Sequence, residues 1–373
     1  MPPTTDYQAL YSEAQQARQQ GDNPTAIVRY QRLVSRLLRR KPAVLQSQAE
    51  LRALLDSAAA ELVELLRWER QYDQAIEVLE RLISLFPDHA LSRRLEGANL
   101  KLEAGQREVG LRELREIAEA DPQNIWGWIA LGSGHLWVEQ YQQAEKFLRR
   151  AADLESAANG DRALAWKALF ELYDVRRNVQ AAVGAWEQAC HLAPELRSTL
   201  PELCAMLIYH GQYASARKYI AQVDSRPRRL FCMGLLHTAT SEVEEAGRAW
   251  TELLECGPGQ DQAAYDDYAE ASVRALLPAR GLELIEPLIL KGDVNYRRLL
   301  IAGLAYAQQR IINRATGTLD VALHMADLQR PRRTRSGGGR RIFDERARVL
   351  YGQIRLDRDL RRKLDRYFLP RTM

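Results

Sequence analysis

The strongest constraint on this chain is a small residue that recurs about every 34 residues, each time inside a helix-sized amphipathic stretch. These positions are Ala26, Ala75, Gly110, Ala144, Ala182, Ala216, Ala246, Gly281 and Ala315. Twelve positions before seven of them comes a second small residue, and Val63 and Phe170 are the exceptions. The seven are Ala14, Ala98, Gly132, Cys204, Gly234, Ala269 and Gly303. Two helices that cross closely need small side chains at the crossing, so the pattern predicts successive helical hairpins.

Bulky residues and prolines complete the repeated unit. A large side chain follows each recurring small residue by four positions, one helical turn along the same face, where it would fill the space between hairpins. Four prolines, which cannot continue a helix, each follow one of the small residues by twelve positions and predict hairpin ends. They are Pro87, Pro122, Pro194 and Pro258. The longer interval of 49 residues between Ala26 and Ala75 implies longer helices or an extra turn around Pro42.

This pattern resembles the tetratricopeptide repeat family. The best matches are Trp128-x-x-Leu131-Gly132, Leu169-Phe170-x-x-Tyr173 with Ala182 and Pro194, and Gly234 with Ala246, Trp250 and Pro258. The resemblance covers residues 7–327 and implies an all-α solenoid, a right-handed superhelix of about nine stacked antiparallel hairpins. A generic helical array of another family is the alternative, and it predicts the same fold class.

Composition and charge divide the chain into three parts. Residues 328–373 contain fifteen Lys or Arg and five Asp or Glu, a balance of +10. Since the whole chain has a net charge of +4, residues 1–327 have a balance of 4 − 10 = −6. We therefore expect a solenoid over residues 7–327, an Arg/Gly-rich flexible linker over 328–341 and a basic amphipathic C-terminal helix over 342–370.

No membrane span, signal peptide or cofactor motif is recognised. The apolar runs are too short to cross a bilayer, and the first residues lack a basic start followed by an apolar block. A cytoplasmic location is the expectation. Walker-type, dinucleotide-binding and H-E-x-x-H motifs are missing from the sequence, so no cofactor, metal, small-molecule substrate or enzymatic activity is predicted.

The resemblance implies that the first helix of each hairpin lines a concave face that binds a protein or peptide partner. The candidate contacts are Ser92, Leu95, Asn99 and Leu102 in the third unit, Trp126, Ile129, Ser133 and Trp137 in the fourth, Lys167, Glu171 and Asp174 in the fifth, and Asp266, Glu270 and Arg274 in the eighth. Trp126 and Trp137 are the expected anchors, because buried aromatic residues commonly dominate such binding.

Packing between hairpins is the competing interpretation of these tryptophans, and it explains Trp128 better than its two neighbours. Some members of the family bind a terminal carboxylate through Lys, Asn and Arg side chains on consecutive units. Asn99 and Lys167 stand at positions of that kind, but the unit between them presents Ser133 and apolar groups. The carboxylate clamp is therefore incomplete, and binding of chaperone tails is not predicted.

Other chemistry-bearing residues are interpreted as structural. His135 and His237 occupy equivalent positions where the family usually has an aromatic residue, and packing is expected for both. Asp266, Asp267 and Glu270 are expected on a solvated helix face. The cysteines, Cys190, Cys204, Cys232 and Cys256, are spaced too widely for a metal site and are expected to be reduced thiols.

The basic tail leaves several interpretations open. Its linker arginines are Arg330, Arg332, Arg333, Arg335, Arg340 and Arg341. They could contact nucleic acid weakly, or shield the acidic repeat body of the same chain. The amphipathic helix could cap the last hairpin or attach to an anionic membrane. The sequence thus predicts a protein-interaction scaffold, with a nucleic-acid- or membrane-associated regulator as the alternative.

Overall fold

A computed structural model describes residues 4–20, 22–87, 90–259, 263–290, 293–328, 345–354, 356 and 358–369. These residues divide into two compact units, with the boundary between Ala157 and Ala158.

The first unit contains nine α-helices within the described residues. They are Thr4–Gln19 (α1), Asn23–Leu38 (α2), Pro42–Ser47 (α3), Ala49–Trp68 (α4), Tyr72–Leu85 (α5), Ala90–Glu103 (α6), Arg107–Ala120 (α7), Ile125–Trp137 (α8) and Tyr141–Ala152 (α9). Four hairpins form from α1 and α2, α4 and α5, α6 and α7, and α8 and α9. Consecutive hairpins are stacked, since α2 packs on α4, α5 on α6 and α7 on α8.

The second unit contains twelve α-helices within the described residues. They are Asn159–Val175 (α10), Val179–Leu192 (α11), Leu200–Tyr209 (α12), Tyr213–Ile220 (α13), Arg226–Ala239 (α14), Val243–Cys256 (α15), Ala263–Arg274 (α16), Pro278–Leu290 (α17), Tyr296–Gln308 (α18), Ile312–Leu328 (α19), Glu345–Gln353 (α20) and Arg358–Phe368 (α21). Five hairpins form from consecutive pairs between α10 and α19, and their first helices also pack on one another from α12 to α18. The predicted all-α fold of stacked helical hairpins is confirmed.

The recurring small residues lie at the helix crossings. All of them are buried, and so are the residues twelve positions earlier. A Cβ atom on Gly132 would lie 2.6 Å from Cγ of Leu148, and one on Gly303 would lie 2.6 Å from Cγ of Leu319. Both pairs are sixteen residues apart, which shows that the small residue of the first helix makes room for the bulky residue of the second.

The turns inside the hairpins share one backbone conformation. A residue with positive φ lies five positions before each recurring small residue from Ala75 onward. The eight residues are Arg70, Gly105, Glu139, Arg177, Gly211, Ser241, Leu276 and Arg310. The next residue donates its backbone N–H to a carbonyl five positions earlier in the chain, as from Gln140 to His135, and this bond closes the helix end. Six of the eight are not glycine, so the turn is not recognisable from glycine alone.

The extra residues between the first two hairpins form the short helix α3, which begins at Pro42 as the sequence indicates. The helix that follows, α4, is also the longest in the first unit. The four predicted hairpin ends are confirmed as well, because Pro87, Pro122, Pro194 and Pro258 each lie two residues beyond the end of a helix.

The C-terminal amphipathic stretch forms two helices, α20 and α21, where the apolar stripe predicts one. Leu360, Leu364 and Phe368 of α21 are buried in one cluster with Leu319 of α19. The hydroxyl of Tyr367 donates a hydrogen bond to the carbonyl of Thr316, at 3.3 Å. The apolar face of α21 is therefore occupied by the last hairpin.

Candidate functional site

The orientation of α8 is determined by three glycines that face its neighbours. A Cβ atom on Gly127 would lie 2.9 Å from Cα of Ala118 in α7, and one on Gly134 would lie 2.7 Å from Cδ1 of Leu114. Gly132 faces α9 in the same way. Asn124 caps the helix by accepting a hydrogen bond from the backbone N–H of Trp126, at 3.1 Å. On another face of α8, Trp126 and Ser133 are exposed.

We call this surface the Trp126 face. It consists of Trp126, Ile129, Ser133 and Trp137 on α8, with Ser92, Leu95 and Asn99 on α6. The four α8 residues lie within about 80° of one another around the helix. Trp126 is 43% exposed, Ile129 and Trp137 are half-buried, and Ser133 is exposed. The residues on α6 are a half-buried Leu95 and exposed Ser92 and Asn99.

Trp128, by contrast, belongs to the core. Its indole N–H donates a hydrogen bond to the carbonyl of Pro122 at 3.0 Å, and its ring stacks on Phe147. The guanidinium of Arg150 lies 3.7 Å from the ring centroid. Trp128 is thus packed inside, as the sequence interpretation favours.

Leu102 does not line the candidate surface, and the prediction for this residue is wrong. Its side chain is 4% exposed. Its Cδ2 lies 2.7 Å from the position of a Cβ atom added to Gly110, and its Cδ1 lies 3.1 Å from the position of one added to Gly134. Two neighbouring glycines leave space inside the stack, and the leucine fills it.

Two acidic residues, Glu96 and Glu103, lie on α6, which also contributes residues to the Trp126 face. Glu103 is buried and accepts hydrogen bonds from both Nε and Nη2 of Arg67, the first at 2.8 Å. Burial raises the pKa of the Glu103 carboxyl, against the opposing effect of Arg67. Glu96 makes no hydrogen bond or ion pair with any described residue. Partial desolvation raises its pKa as well, and Arg67 opposes that change. Glu96 therefore lies on α6 within the electrostatic influence of Arg67 and Arg93, but no described residue forms a hydrogen bond or ion pair with its carboxylate.

Three further candidates, Lys167, Glu171 and Asp174, lie on α10 in the second unit. We call these three residues, together with Glu202 of α12, the Lys167 face. Asp174 is already engaged, because it accepts a hydrogen bond from Nε2 of His210 at 2.8 Å. Glu171 is exposed and has no hydrogen-bond or ion-pair partner among the described residues. Desolvation by nearby protein atoms raises its pKa, while Lys167 opposes the effect. Lys167 and Glu171 are thus the groups available to a partner.

A narrow cleft adjoins this face, and sequence reasoning missed it. Its lining includes Lys167, Phe170, Trp186, Leu196 and Glu202. The cleft lies in the hairpin where Phe170 replaces the usual small crossing residue, and Trp186 is only half-buried there. The equivalent residues Leu148 and Leu319 are fully buried in their hairpins. The signal for the cleft was therefore the exception at Phe170.

The eighth-unit candidates, Asp266, Glu270 and Arg274, are not free contacts, and the expected solvated face is wrong. Asp267 is 2% exposed and Glu270 is 7% exposed. Glu270 accepts hydrogen bonds from Nη2 of Arg274 at 2.7 Å and from Nη2 of Arg297 at 2.8 Å. Helices α14, α16 and α18 bring opposite charges together here, and pairing makes their burial tolerable.

The remaining members extend this network. Nη1 of Arg297 donates to Asp267 at 2.6 Å, and Nε of Arg298 donates to Asp266 at 2.8 Å. Burial opposes ionisation of Glu270, but Arg274 and Arg297 together hold its pKa below the usual value. Asp267 differs from Glu270, because burial raises the pKa of its carboxyl against the opposing effect of Arg297. Each of the three acids nevertheless has at least one arginine partner.

The two equivalent histidines have the same local role. His135 Nδ1 lies 2.6 Å from Oε1 of Gln140, and His237 Nδ1 contacts Oε2 of Glu242. Gln140 and Glu242 each stand directly before the second helix of their hairpin. Each histidine side chain therefore braces its hairpin turn, in agreement with the structural interpretation.

The structure also bears on the other candidate chemistry. Cys190, Cys204 and Cys232 are buried free thiols, and Cys256 is an exposed one. Within the described part of the chain, no three His, Cys, Asp or Glu side chains lie together as a potential metal site. No helix in that part has the length and hydrophobicity required to cross a bilayer. The linker arginines, Arg330 to Arg341, lie outside the described residues.

No protein-family model and no curated protein matches this sequence. Solved structures do resemble it. PilF of Pseudomonas aeruginosa is 18% identical over 57% of this chain and 95% of that chain, with a TM-score of 0.39. A tetratricopeptide repeat protein from Parabacteroides merdae is 14% identical over 71% and 98%, also with a TM-score of 0.39.

The Cut9–Hcn1 hetero-tetramer of the APC/C is 13% identical over 86% of this chain and 75% of that chain, with a TM-score of 0.34. The chain is thus similar to repeat proteins of the family that its sequence resembles. At these identities and scores, the likeness adds no argument beyond the hairpins that the chain itself forms.

Proposed function

We propose that this protein is a scaffold that binds a helix or an extended peptide of a partner protein on the Trp126 face, without a chemical step. The observation that carries the proposal is the 43% exposure of Trp126 on a helix whose adjacent residues Ile125, Gly127 and Trp128 are buried. Tryptophan is enriched among the residues that dominate binding energy at protein interfaces.

The rigidity of α8 supports this proposal. Gly127, Gly132 and Gly134 pack against α7 and α9, so the helix cannot rotate about its axis without a clash. A partner would meet Trp126, Ile129 and Trp137 already arranged along one stripe. Binding to a preorganised surface avoids the entropy cost of ordering it, which favours affinity.

Polar groups beside this stripe would orient the partner. Asn99 and Ser133 are exposed and can donate or accept hydrogen bonds, as the backbone of an extended peptide or the polar side chains of a helix require. Glu96, whose carboxylate forms no hydrogen bond or ion pair with a described residue, would favour a basic residue in the bound segment. An apolar side chain next to Lys or Arg is the expected recognition feature.

The Lys167 face would supply a second contact of similar character. Glu171 and Glu202 are exposed, and the neighbouring cleft has an aromatic floor of Phe170 and Trp186. Exposed charges of this kind affect the rate of association and its salt dependence more than its affinity. Replacing Glu171 should therefore slow binding at low salt.

The tail remains a second candidate, as a contact for nucleic acid or an anionic membrane through Arg330, Arg332, Arg333, Arg335, Arg340 and Arg341. Exposed cations on the outer face of α21 favour such a contact; they are Arg358, Arg362, Lys363 and Arg366. Burial of Leu360, Leu364 and Phe368 argues against membrane insertion of α21, since an interfacial helix needs its apolar face. Phosphate contact is the form of this candidate that the packing favours. A cytoplasmic location belongs to the same set of proposals.

Site-specific photocrosslinking tests the primary proposal. A photoreactive amino acid placed at Ser133 should crosslink one partner in a lysate of the source cell. The matched position is Glu116 on α7 of the first unit, which is 61% exposed but lies on a second helix. Crosslinking from both positions alike would contradict the proposal.

Replacing Trp126 and Trp137 by Ala should abolish the crosslink at Ser133 while the helix content, measured by circular dichroism, stays unchanged. Loss of helix content would show instead that both tryptophans belong to the core. Replacement of Arg330, Arg332, Arg333, Arg335, Arg340 and Arg341 by Gln should leave the crosslink intact, whereas loss of nucleic-acid binding in that variant would support the tail.

A further inference from the structure

The first unit contains a strongly basic segment that the acidic balance of residues 1–327 conceals. Between Asp22 and Glu50 the chain contains six Lys or Arg and no Asp or Glu. Five of the six are arginines. The segment comprises α2, α3 and the residues between them, and its cations are Arg29, Arg32, Arg36, Arg39, Arg40 and Lys41.

Four of these arginines form a stripe along the outside of α2, and we call it the α2 stripe. Arg29, Arg32, Arg36 and Arg39 follow the three- and four-residue spacing of a helix face and lie within about 80° around the axis. The opposite face of α2 holds the buried residues, among them Tyr30, Leu33, Val34 and Leu37. Within the stripe, Arg32 and Arg39 are exposed and Arg29 and Arg36 are half-buried.

Most of the charge in this region is not neutralised by neighbouring acids. Arg36 forms an ion pair with Asp6 at 3.5 Å, and the two side chains are 39% and 56% exposed, so the pair is weak. Arg29 donates to the uncharged carbonyl of Glu13 at 2.7 Å. The side chains of Arg32, Arg39 and Lys41 make no hydrogen bond or ion pair with any described residue.

Arg40 and its aromatic neighbour lie at the end of the stripe. The guanidinium of Arg40 donates to the hydroxyl of Tyr7 from Nη2 at 2.8 Å and lies 5.7 Å from the centre of its ring. Tyr7 itself is buried. This aromatic ring is thus covered by protein and cannot stack on an incoming base.

We propose that the α2 stripe binds the phosphate backbone of a nucleic acid. The four arginines span roughly 15 Å at 1.5 Å of helix rise per residue. A nucleic-acid strand advances about 3.4 Å per phosphate, so this length matches about four phosphates. Guanidinium groups pair with phosphate oxygens through two parallel hydrogen bonds, which favours arginine at such contacts.

The binding is independent of base sequence, because only backbone contacts are available. A lipid surface fits the stripe less well. Helices that lie on membranes bury an apolar face in the lipid, whereas the apolar face of α2 is packed inside the protein. Val28 is the one large apolar side chain of α2 that is exposed.

Fluorescence anisotropy of a labelled 20-nucleotide single-stranded RNA and a labelled 20-base-pair DNA duplex, titrated with the full chain at several salt concentrations, tests the proposal. The test variant is Arg32→Gln/Arg36→Gln/Arg39→Gln. Each lost phosphate contact lowers the slope of log affinity against log salt by about 0.7 for a single strand and 0.9 for a duplex. We expect the slope to fall by about 2–3.

A matched variant controls for net charge. Arg112→Gln/Arg149→Gln/Arg248→Gln removes the same three charges from exposed positions on α7, α9 and α15. It should leave the slope unchanged. Because the tail arginines can also bind phosphate, both triple variants are repeated with Arg330, Arg332, Arg333, Arg335, Arg340 and Arg341 replaced by Gln. The loss due to the α2 stripe should persist in that background.

Four outcomes would overturn the proposal. They are the absence of binding by the full chain at low salt, equal losses in the two triple variants, tighter binding to vesicles containing phosphatidylserine than to either nucleic acid, and displacement of the RNA by poly-glutamate at equal charge concentration. Circular dichroism and thermal unfolding of the α2 variant establish that its loss of binding does not come from unfolding.

Discussion

Gly234 lies directly beneath the indole ring of Trp250, so that a Cβ atom added to this glycine would lie 2.5 Å from two ring carbons. The same relationship joins Gly132 to Leu148 and Gly303 to Leu319. In each pair the glycine belongs to the first helix of a hairpin and the large residue follows sixteen positions later. The pair therefore determines how closely the two helices approach.

Replacing Gly234 by Ala should destabilise the protein, because the added methyl group forces apart two helices whose contact has no spare space. We expect a loss of about 1–3 kcal/mol in the free energy of unfolding, measured with urea. Gly247 in the same hairpin has no atom within 4 Å of its Cβ position. Gly247→Ala should stabilise the helix by about 0.5–1 kcal/mol. Similar changes in the free energy of unfolding for the two substitutions would contradict the close packing of Gly234 against Trp250.

Replacing Glu270 by Gln should also destabilise the protein, because it leaves Arg274 and Arg297 without their shared counter-charge in a buried network. We expect a cost of about 3–5 kcal/mol. The exposed pair of Glu245 and Arg248 serves as the control. Glu245→Gln should change the stability by less than about 0.5 kcal/mol. A small effect at Glu270 would show that the two arginines find other partners.

The stability difference between Glu270→Gln and the unmodified protein should depend on pH. Arg274 and Arg297 outweigh burial and depress the pKa of Glu270 in the folded state. A depressed carboxyl pKa stabilises the fold above the unfolded-state value, and this contribution is lost as the pH falls through the folded-state value. The difference should therefore be full near pH 7 and should decline in acid. A difference that is independent of pH would rule out a charge effect.

The thiols should differ sharply in reactivity. Burial raises the pKa of Cys190 to about 11, so its reactive thiolate is scarce near pH 8. A hydrogen bond with Cys204, together with burial, raises the pKa of Cys232 as well. Cys256 is exposed. A chromogenic disulfide reagent should therefore label one thiol in the native chain and all four after unfolding.

The substitution Cys256→Ser should abolish labelling of the native protein. Labelling that persists in this variant would show that the second unit opens locally and exposes a buried thiol. Its rate would then measure the frequency of that opening.

The hairpin turns offer a route to stabilisation. Leu276 has a φ of 61°, a backbone conformation that is energetically unfavourable for residues other than glycine. It occupies the same turn position as Gly105 and Gly211. Leu276→Gly should raise the free energy of unfolding by about 0.5–1 kcal/mol. Leu277 is similarly exposed but has no positive φ. Leu277→Gly should not stabilise the protein. Equal increases in the free energy of unfolding for both substitutions would contradict backbone strain at Leu276.

Most of the fold was predictable because the small residues at the helix crossings leave a strong periodic signal. The paired positions, such as Gly132 and Ala144, identify both helices of a hairpin and their point of contact. The prolines at 87, 122, 194 and 258 add the hairpin ends. The spacing of residues close together in the sequence is enough to predict the fold, because each hairpin contacts only its neighbours along the chain.

The candidate surfaces were less predictable, because they depend on the packing between hairpins. Leu102 has the spacing of a surface residue, but Gly110 and Gly134 on other helices create the space that draws it inside. Glu270 looks solvated from its own helix alone, but Arg297 of another hairpin and Arg274 pair with it in a buried network. The α2 stripe left a direct signal, the acid-free segment between Asp22 and Glu50, which the total charge of the repeat body obscured.

The packing of α21 on the last hairpin has a consequence for assembly. A stack of hairpins exposes an apolar surface at its end, where a further hairpin or another copy of the chain could continue the stack. Here Leu364 and Phe368 occupy that surface beside Leu319, and charged residues such as Arg362 face outward. A chain shortened to residue 328 should therefore polymerise end to end as its concentration rises, which sedimentation velocity would detect, whereas a persistent monomer would show that α21 does not limit growth.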